Sequence, residues 1–286
     1  MSQVQTVLER ARADGRPSLV SYVTAGIRAD WTDLLAAMID AGADAVEIGL
    51  PFSDPMLDGP VIQRASGAAI SRGANTTAIL AELRRARPRA CRDGEVPLIA
   101  MSYANHAYHR GITRYCGELA EAGFSGTIIP DLPAGEADEY LAAAAGAGLD
   151  ATLMVTPATP VGQMRAIARR SRGFLYVMSV MATTGSTNER DDERRWALAA
   201  RALGVAAGQL AAEQLAAGQL AAGQDSPPPV LIGFGIDTPA RAAAAVRHAD
   251  GVIVASALMR RVLGGADASD IARTVGGLRT AIDTAR

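Results

Sequence analysis

Residues 44–60 read Asp44-Ala-Val-Glu47-Ile-Gly49-Leu-Pro-Phe52-Ser-Asp54-Pro-Met-Leu57-Asp58-Gly59-Pro60. An apolar run opens the stretch, a long turn rich in Pro and Asp follows, and Gly-Pro marks a helix start near residue 60. This is one strand–turn–helix unit, and the same grammar recurs outward in both directions. Short apolar, β-branched runs lie at 18–24, 45–48, 96–101, 126–129, 151–155, 174–178, 230–232 and 251–254, each followed by small, polar or Pro residues. Helical spacing of apolar residues predicts helices over 29–41, 112–122, 136–147, 162–171, 239–248 and 271–286. Several runs are apolar on both faces, as buried parallel strands are. Eight such units close a (β/α)8 barrel, a TIM barrel of the α/β class, which takes ~250 residues. The 286 residues fit one such domain spanning 1–286. An additional helix over 2–13 is placed to plug the bottom of the barrel.

One segment breaks the pattern. Residues 206–224 read AAGQLAAEQLAAGQLAAGQ, a five-residue repeat. Five residues turn a helix by ~500°, so Leu210, Leu215 and Leu220 do not share a stripe. This predicts a low-complexity insertion in the sixth βα unit, without a coiled-coil or packing role.

Composition removes whole chemistries. The chain has 28 basic residues against 30 acidic ones, and all 28 are Arg. Without Lys there is no Schiff base, which excludes class I aldolase and pyridoxal-phosphate catalysis on this chain. A P-loop lysine is absent too. The balanced charge leaves no overall basic footprint for nucleic acid. Cys91 and Cys116 have no metal-ligand spacing, and no metal or cofactor is expected. The N-terminus lacks the apolar stretch of a signal peptide, and no run of ~18 apolar residues spans a membrane. A cytoplasmic protein is the expectation.

In a barrel, function sits where strands end. Glu47 lies inside an otherwise apolar strand, where burial costs several kcal/mol unless it is paired and raises its pKa. Such a Glu is a candidate general acid/base; pairing with an Arg is the structural alternative. Asp54 and Asp58 sit in the following loop as candidate acids, or as caps of a turn and of the helix near Pro60. A glycine-rich turn follows the seventh strand at Gly233-Phe-Gly235, and Asp250-Gly251-Val-Ile-Val-Ala255-Ser256 repeats the pattern of strand, turn and helix start at the eighth. Two such turns opening helices form the usual barrel phosphate site. The sixth strand ends in a small, hydroxylated stretch containing Thr184 and Gly185, a candidate second lid.

The block from Val46 to Gln63 resembles the signature of the tryptophan synthase alpha subunit family. Supporting blocks are Tyr22-Val-Thr-Ala-Gly26, Met101-Ser-Tyr-Ala-Asn105, Ile128-Ile-Pro-Asp-Leu-Pro133, Gly233-Phe-Gly235-Ile and Gly251-Val-Ile-Val-Ala-Ser256-Ala. They fall in family order from residue 16 to about 265. The resemblance implies retro-aldol cleavage of indole-3-glycerol phosphate to indole and glyceraldehyde 3-phosphate, without metal or cofactor. By matching motif it makes Glu47 the acid/base and Asp58 the partner of the indole N–H. It places Tyr176 near Glu47, gives Gly185, Gly235 and Ser256 the phosphate, and leaves Thr184 in the sixth loop. Phe52, Leu50 and Ile129 become indole-pocket walls. It also implies a pyridoxal-phosphate beta subunit as partner in an α2β2 assembly, contacted through 51–59 and 131–133.

The chain departs from the family pattern at Ile27-Arg28, Leu57, His106, Ala182 and Ala255. Ala182 and Ala255 stand where glycine is usual, at a cost of about 1 kcal/mol or more if either takes positive φ. A free-standing lyase releasing indole, and a catalytically silent phosphate-binding regulatory subunit, are the alternatives these departures leave open.

Overall fold

The structure is a computed structural model. It describes residues 3–178, 197–199, 201, 202, 204, 205, 228–233 and 235–285. The 206–224 repeat, Ala182, Thr184 and Gly185 lie outside the described residues.

Eight parallel strands close a barrel in sequence order. They are β1 (Ser18–Thr24), β2 (Ala45–Gly49), β3 (Leu98–Met101), β4 (Gly126–Ile128), β5 (Asp150–Val155), β6 (Leu175–Met178), β7 (Val230–Gly233) and β8 (Gly251–Val254). Each expected run forms a strand, two of them with the same ends and the others with an end shifted by one or two residues. The helices are α1 (Gln3–Ala13), α2 (Trp31–Asp40), α3 (Pro60–Ser71), α4 (Thr76–Ala86), α5 (Arg89–Arg92), α6 (Ala104–Arg110), α7 (Ile112–Glu121), α8 (Asp138–Gly146), α9 (Val161–Arg170), α10 (Pro239–Ala245), α11 (Ser256–Leu263) and α12 (Ala268–Asp283). Of these, α4, α5, α6 and α11 were not anticipated from spacing.

Register decides what faces the barrel axis. Tyr22 pairs with Glu47, Glu47 with Ile99, Met154 with Tyr176, and Tyr176 with Leu231. Directly paired residues of parallel strands share a face, and strand residues alternate faces. Tyr22, Glu47 and Tyr176 therefore all project inward. Below them, Val20, Ala45, Ile99, Phe174, Leu231 and Ile253 form an inner apolar cluster, closed at the bottom by Val4 and Leu8 of α1. This is the plug expected from the sequence. The outward faces pack on the helices as a second, larger core.

The N-terminal end carries the structural carboxylates. Asp44 accepts from the Leu19 backbone N–H at 2.8 Å and pairs with Arg16 at 2.6 Å and Arg279 at 3.0 Å. Asp150 accepts from the Gln5 backbone N–H at 3.2 Å, tying α1 to the barrel.

Two inward glycines make room for the tyrosines. A Cβ on Gly49 would lie 1.9 Å from the Tyr22 hydroxyl, and one on Gly233 would lie 2.1 Å from that of Tyr176. Gly49→Ala is expected to displace Tyr22 and destabilise the chain by about 1–3 kcal/mol, the usual cost of overpacking. Chemical denaturation measures this. An unchanged midpoint would show that Tyr22 has free space.

Candidate active site

Glu47 sits in the middle of β2, only 1% exposed. Its Oε2 has no hydrogen-bond partner, and no Arg pairs with it among the described residues. A buried, unpaired carboxyl is most stable neutral. Burial first, and the charge of Asp58 second, push its pKa up to about 8. Among the described residues, the structural alternative of a paired Glu finds no partner.

Asp58 comes from the loop after β2. The helix-cap reading of this residue is not what the structure shows. The N-cap of α3 is Gly59, with no side-chain cap and Pro60 following. The Asp58 carboxylate instead accepts a hydrogen bond from the Tyr103 hydroxyl at 3.0 Å. That hydroxyl accepts in turn from the Leu57 backbone N–H at 3.0 Å. Gln63 fixes the loop from α3, donating to the Asp58 carbonyl at 2.9 Å. Burial raises the Asp58 pKa to about 6, against the lowering effect of the Tyr103 bond. Asp54, by contrast, is exposed and accepts from Ser53 Oγ at 2.6 Å.

Three tyrosines surround the carboxyls. Burial raises the pKa values of Tyr22 and Tyr176, and Glu47 and Asp58 both contribute to each shift. The structure thus places Tyr176 near Glu47, as the family motif implied. Tyr22 and Tyr103 belong to quoted blocks, but no role was read for either. An inward pairing of residue 22 with residue 47 was the available signal for Tyr22. Tyr103 had none, because its partner is 45 residues away.

Phe52 stacks on Tyr103, ring centroids 5.0 Å apart at 21°, and lies 5.4 Å from the His106 ring at 59°. His106, a departure from the family pattern, therefore backs the aromatic wall. Its Nδ1 is buried without a hydrogen-bond partner, and desolvation lowers its pKa.

Phe52, Leu50, Asp58, Tyr22 and Tyr103 line a cavity of only about 10 Å³. That is room for about one water, whereas small-molecule sites take ~300–1,000 Å³. Ile129 is buried in the outer core and does not line the cavity; Pro130 does. At the last two strands, Gly235 has φ +81°, a conformation that favours glycine. Ala255 has φ −115°, so the strain considered for a side chain there does not arise. Ser256 opens α11 beside it.

Tyr103→Phe removes the bond that favours ionised Asp58. The acid limb of the rate profile, set near pH 6, is expected to move up, and a shift of about one unit (~1.4 kcal/mol) lowers kcat/KM at pH 6 about fivefold. An unmoved limb would leave Tyr103 a packing residue only.

A buried Glu inside β2 and a hydrogen-bonded Asp on the loop that follows form a pair of carboxyls that can do acid–base chemistry. Among the described residues no cluster of three His, Cys, Asp or Glu side chains could hold a metal ion. The family model described as tryptophan synthase alpha chain matches residues 8–275. The tryptophan synthase alpha chain of Geobacter sulfurreducens is 35% identical over 287 residues, covering 99% of each chain. That of Chloroflexus aurantiacus is 38% identical over 267 residues, covering 92% of this chain and 90% of the relative. The crystal structure of tryptophan synthase subunit alpha from Legionella pneumophila superposes with a TM-score of 0.80 at 31% identity, covering 99% of both chains. A chain in the structure of Mycobacterium tuberculosis tryptophan synthase gives 0.82 at 29% identity, covering 99% of this chain and 98% of that one. The chain belongs to the tryptophan synthase alpha chain family.

Proposed function

We propose that the chain cleaves indole-3-glycerol phosphate to indole and glyceraldehyde 3-phosphate, as the alpha subunit of tryptophan synthase. The observation that carries this is geometric: Glu47 is buried on β2 with no partner for its Oε2, Asp58 of the following loop is held by the Tyr103 hydroxyl, and burial pushes the first up to about 8 and the second to about 6. Between those values Glu47 is protonated and Asp58 is ionised, which assigns acid and anion roles at neutral pH. Glu47 delivers its proton to the indole carbon that bears the side chain. Asp58 accepts a hydrogen bond from the indole N–H and stabilises the cationic ring so formed. As the C–C bond breaks, its electron pair returns to the ring and neutralises the cation. The adjacent hydroxyl becomes the aldehyde and returns its proton to Glu47. Protons balance, and no outside acceptor is needed. Gly185, Gly235 and Ser256 are assigned to the phosphate, Phe52 to the indole wall, Tyr176 to a place beside Glu47, and Thr184 to the substrate from the sixth loop.

The partner reading rests on surface chemistry. Met56, Leu57 and Tyr108 are 82%, 44% and 56% exposed on the β2 loop and α6. Large apolar side chains exposed around a site mark a docking face, and these flank the loops assigned to the beta subunit.

The test is indole release by the purified chain, alone and with the beta subunit of the same source. Slow release that the partner accelerates is the expected result. Fast release without acceleration makes the chain a free-standing lyase, with Leu57 and His106 the residues to examine. No release in either case, with the phosphate ligand still bound, makes it a regulatory subunit. No helix among the described residues is long and apolar enough to cross a membrane.

A further inference from the structure

A second concavity lies on the outer wall, between α10, α11 and α12. Its volume is about 620 Å³, within the ~300–1,000 Å³ of small-molecule sites. Arg260 and Arg261 of α11 and Arg273 of α12 line it, and Pro239, Ala257 and Leu278 give it an apolar floor. Glu47, Asp58, Gly235 and Ser256 are not among its lining residues, but Asp237 and Ala257 are, so the concavity begins one or two residues from the turns assigned to the phosphate.

Its charge is uncompensated. Two carboxylates reach the concavity, and both are committed. Asp237 pairs with Arg241 at 3.1 Å, while Asp270 pairs with Arg273 at 3.0 Å and completes the capping box of α12. Among the described residues, no carboxylate pairs with Arg260 or Arg261. Guanidinium groups offer two parallel donors that match phosphate oxygens, and an apolar floor suits a flat hydrocarbon body.

We propose that this concavity is a second ligand site, for a small phosphomonoester with an apolar body. Arg260 and Arg261 take the phosphate and Leu278 with Pro239 supports the body. The site does not depend on the reaction assigned above, and its failure would leave that reaction untouched.

Calorimetric titration with 1-naphthyl phosphate tests it, using the wild-type chain and two double variants. R260S/R261S removes the proposed ligands. R85S/R92S removes the same charge from exposed positions on α4 and α5. Binding at the barrel mouth is common to all three proteins and cancels in the comparison. R260S/R261S is expected to abolish one binding event or weaken it at least tenfold. R85S/R92S is expected to stay within twofold of wild type, and both variants should release indole at the wild-type rate. Inorganic phosphate alone should bind more weakly than the naphthyl ester. Identical isotherms for wild type and R260S/R261S would overturn the proposal. Equal weakening by both variants would also overturn it, because the attraction would then belong to net charge and not to a site.

Discussion

Glu47→Gln is expected to reduce indole release by about 10²–10⁴-fold, the range of a positioned general acid/base, with substrate affinity held within a few-fold. Gln keeps the shape and removes the transferable proton. The same substitution has an opposite effect on stability. The Glu47 pKa is raised from 4.5 to about 8 in the folded chain, so between those values the folded state holds a proton that the unfolded state has released. Stability then falls as pH rises, with a slope set by that excess proton. The loss begins near 4.5, is complete above about 8, and comes from forcing a charge into an apolar barrel. Gln carries no such penalty. Melting temperatures of variant and wild type should therefore diverge in the variant's favour between pH 5 and pH 9. A difference that does not change with pH would show that Glu47 is not buried as a neutral acid. For the wild-type enzyme, kcat/KM should fall along an alkaline limb near pH 8 as that acid is lost. A flat profile to pH 9 would remove Glu47 from the acid role whatever the mutant shows.

Glu47 was legible because strand patterning is strict. A carboxylate among Ala45, Val46 and Ile48 breaks an apolar run, and only a pairing or a chemical role accounts for it. The barrel was legible for a related reason: eight short apolar runs, each closed by turn residues, leave few other topologies. What stayed hidden depended on long-range register or on short helices. Asp58 reads locally as a helix cap, yet Gly59 and Pro60 start α3 without it, which frees its carboxylate for Tyr103. Tyr103 lies two residues past β3, and nothing local marks it as a partner of the β2 loop. The inward tyrosines depend on missing side chains at Gly49 and Gly233, which only the closed register reveals. Among the helices, the start of α11 was legible at Ser256, but its length was not, because Val252 to Met259 reads as one apolar stretch. In α4, Ile79, Leu80 and Leu83 do form a buried helical face, but Arg-rich sequence after it masks the boundary. The proposed anion site was invisible for the simplest reason. Arg260, Arg261 and Arg273 read as separate solvated helix positions, and only the packing of α10, α11 and α12 brings them to one concavity.

Asp58→Asn separates the charge of this residue from its shape. Asn still accepts the Tyr103 hydroxyl bond and keeps the loop, and α3 retains its own start at Gly59 and Pro60. The melting temperature should stay within a few degrees of wild type. Turnover should fall by about 10²–10³-fold, the usual cost of removing one preorganised electrostatic contact to a charge that forms during reaction. The reason is that the indole ring becomes cationic only once Glu47 has delivered its proton, so an anion at Asp58 acts on the transition state more than on bound substrate. KM should therefore move less than kcat. The two carboxyls are also coupled: the Asp58 charge is the second cause of the raised Glu47 pKa. Neutralising Asp58 must lower the Glu47 pKa, and the residual activity of the variant should show its alkaline limb at lower pH than wild type. Lost turnover with an unmoved limb would mean that the two groups act independently. Unchanged turnover would return Asp58 to a structural role in the β2 loop, leaving Glu47 to work without an anionic partner.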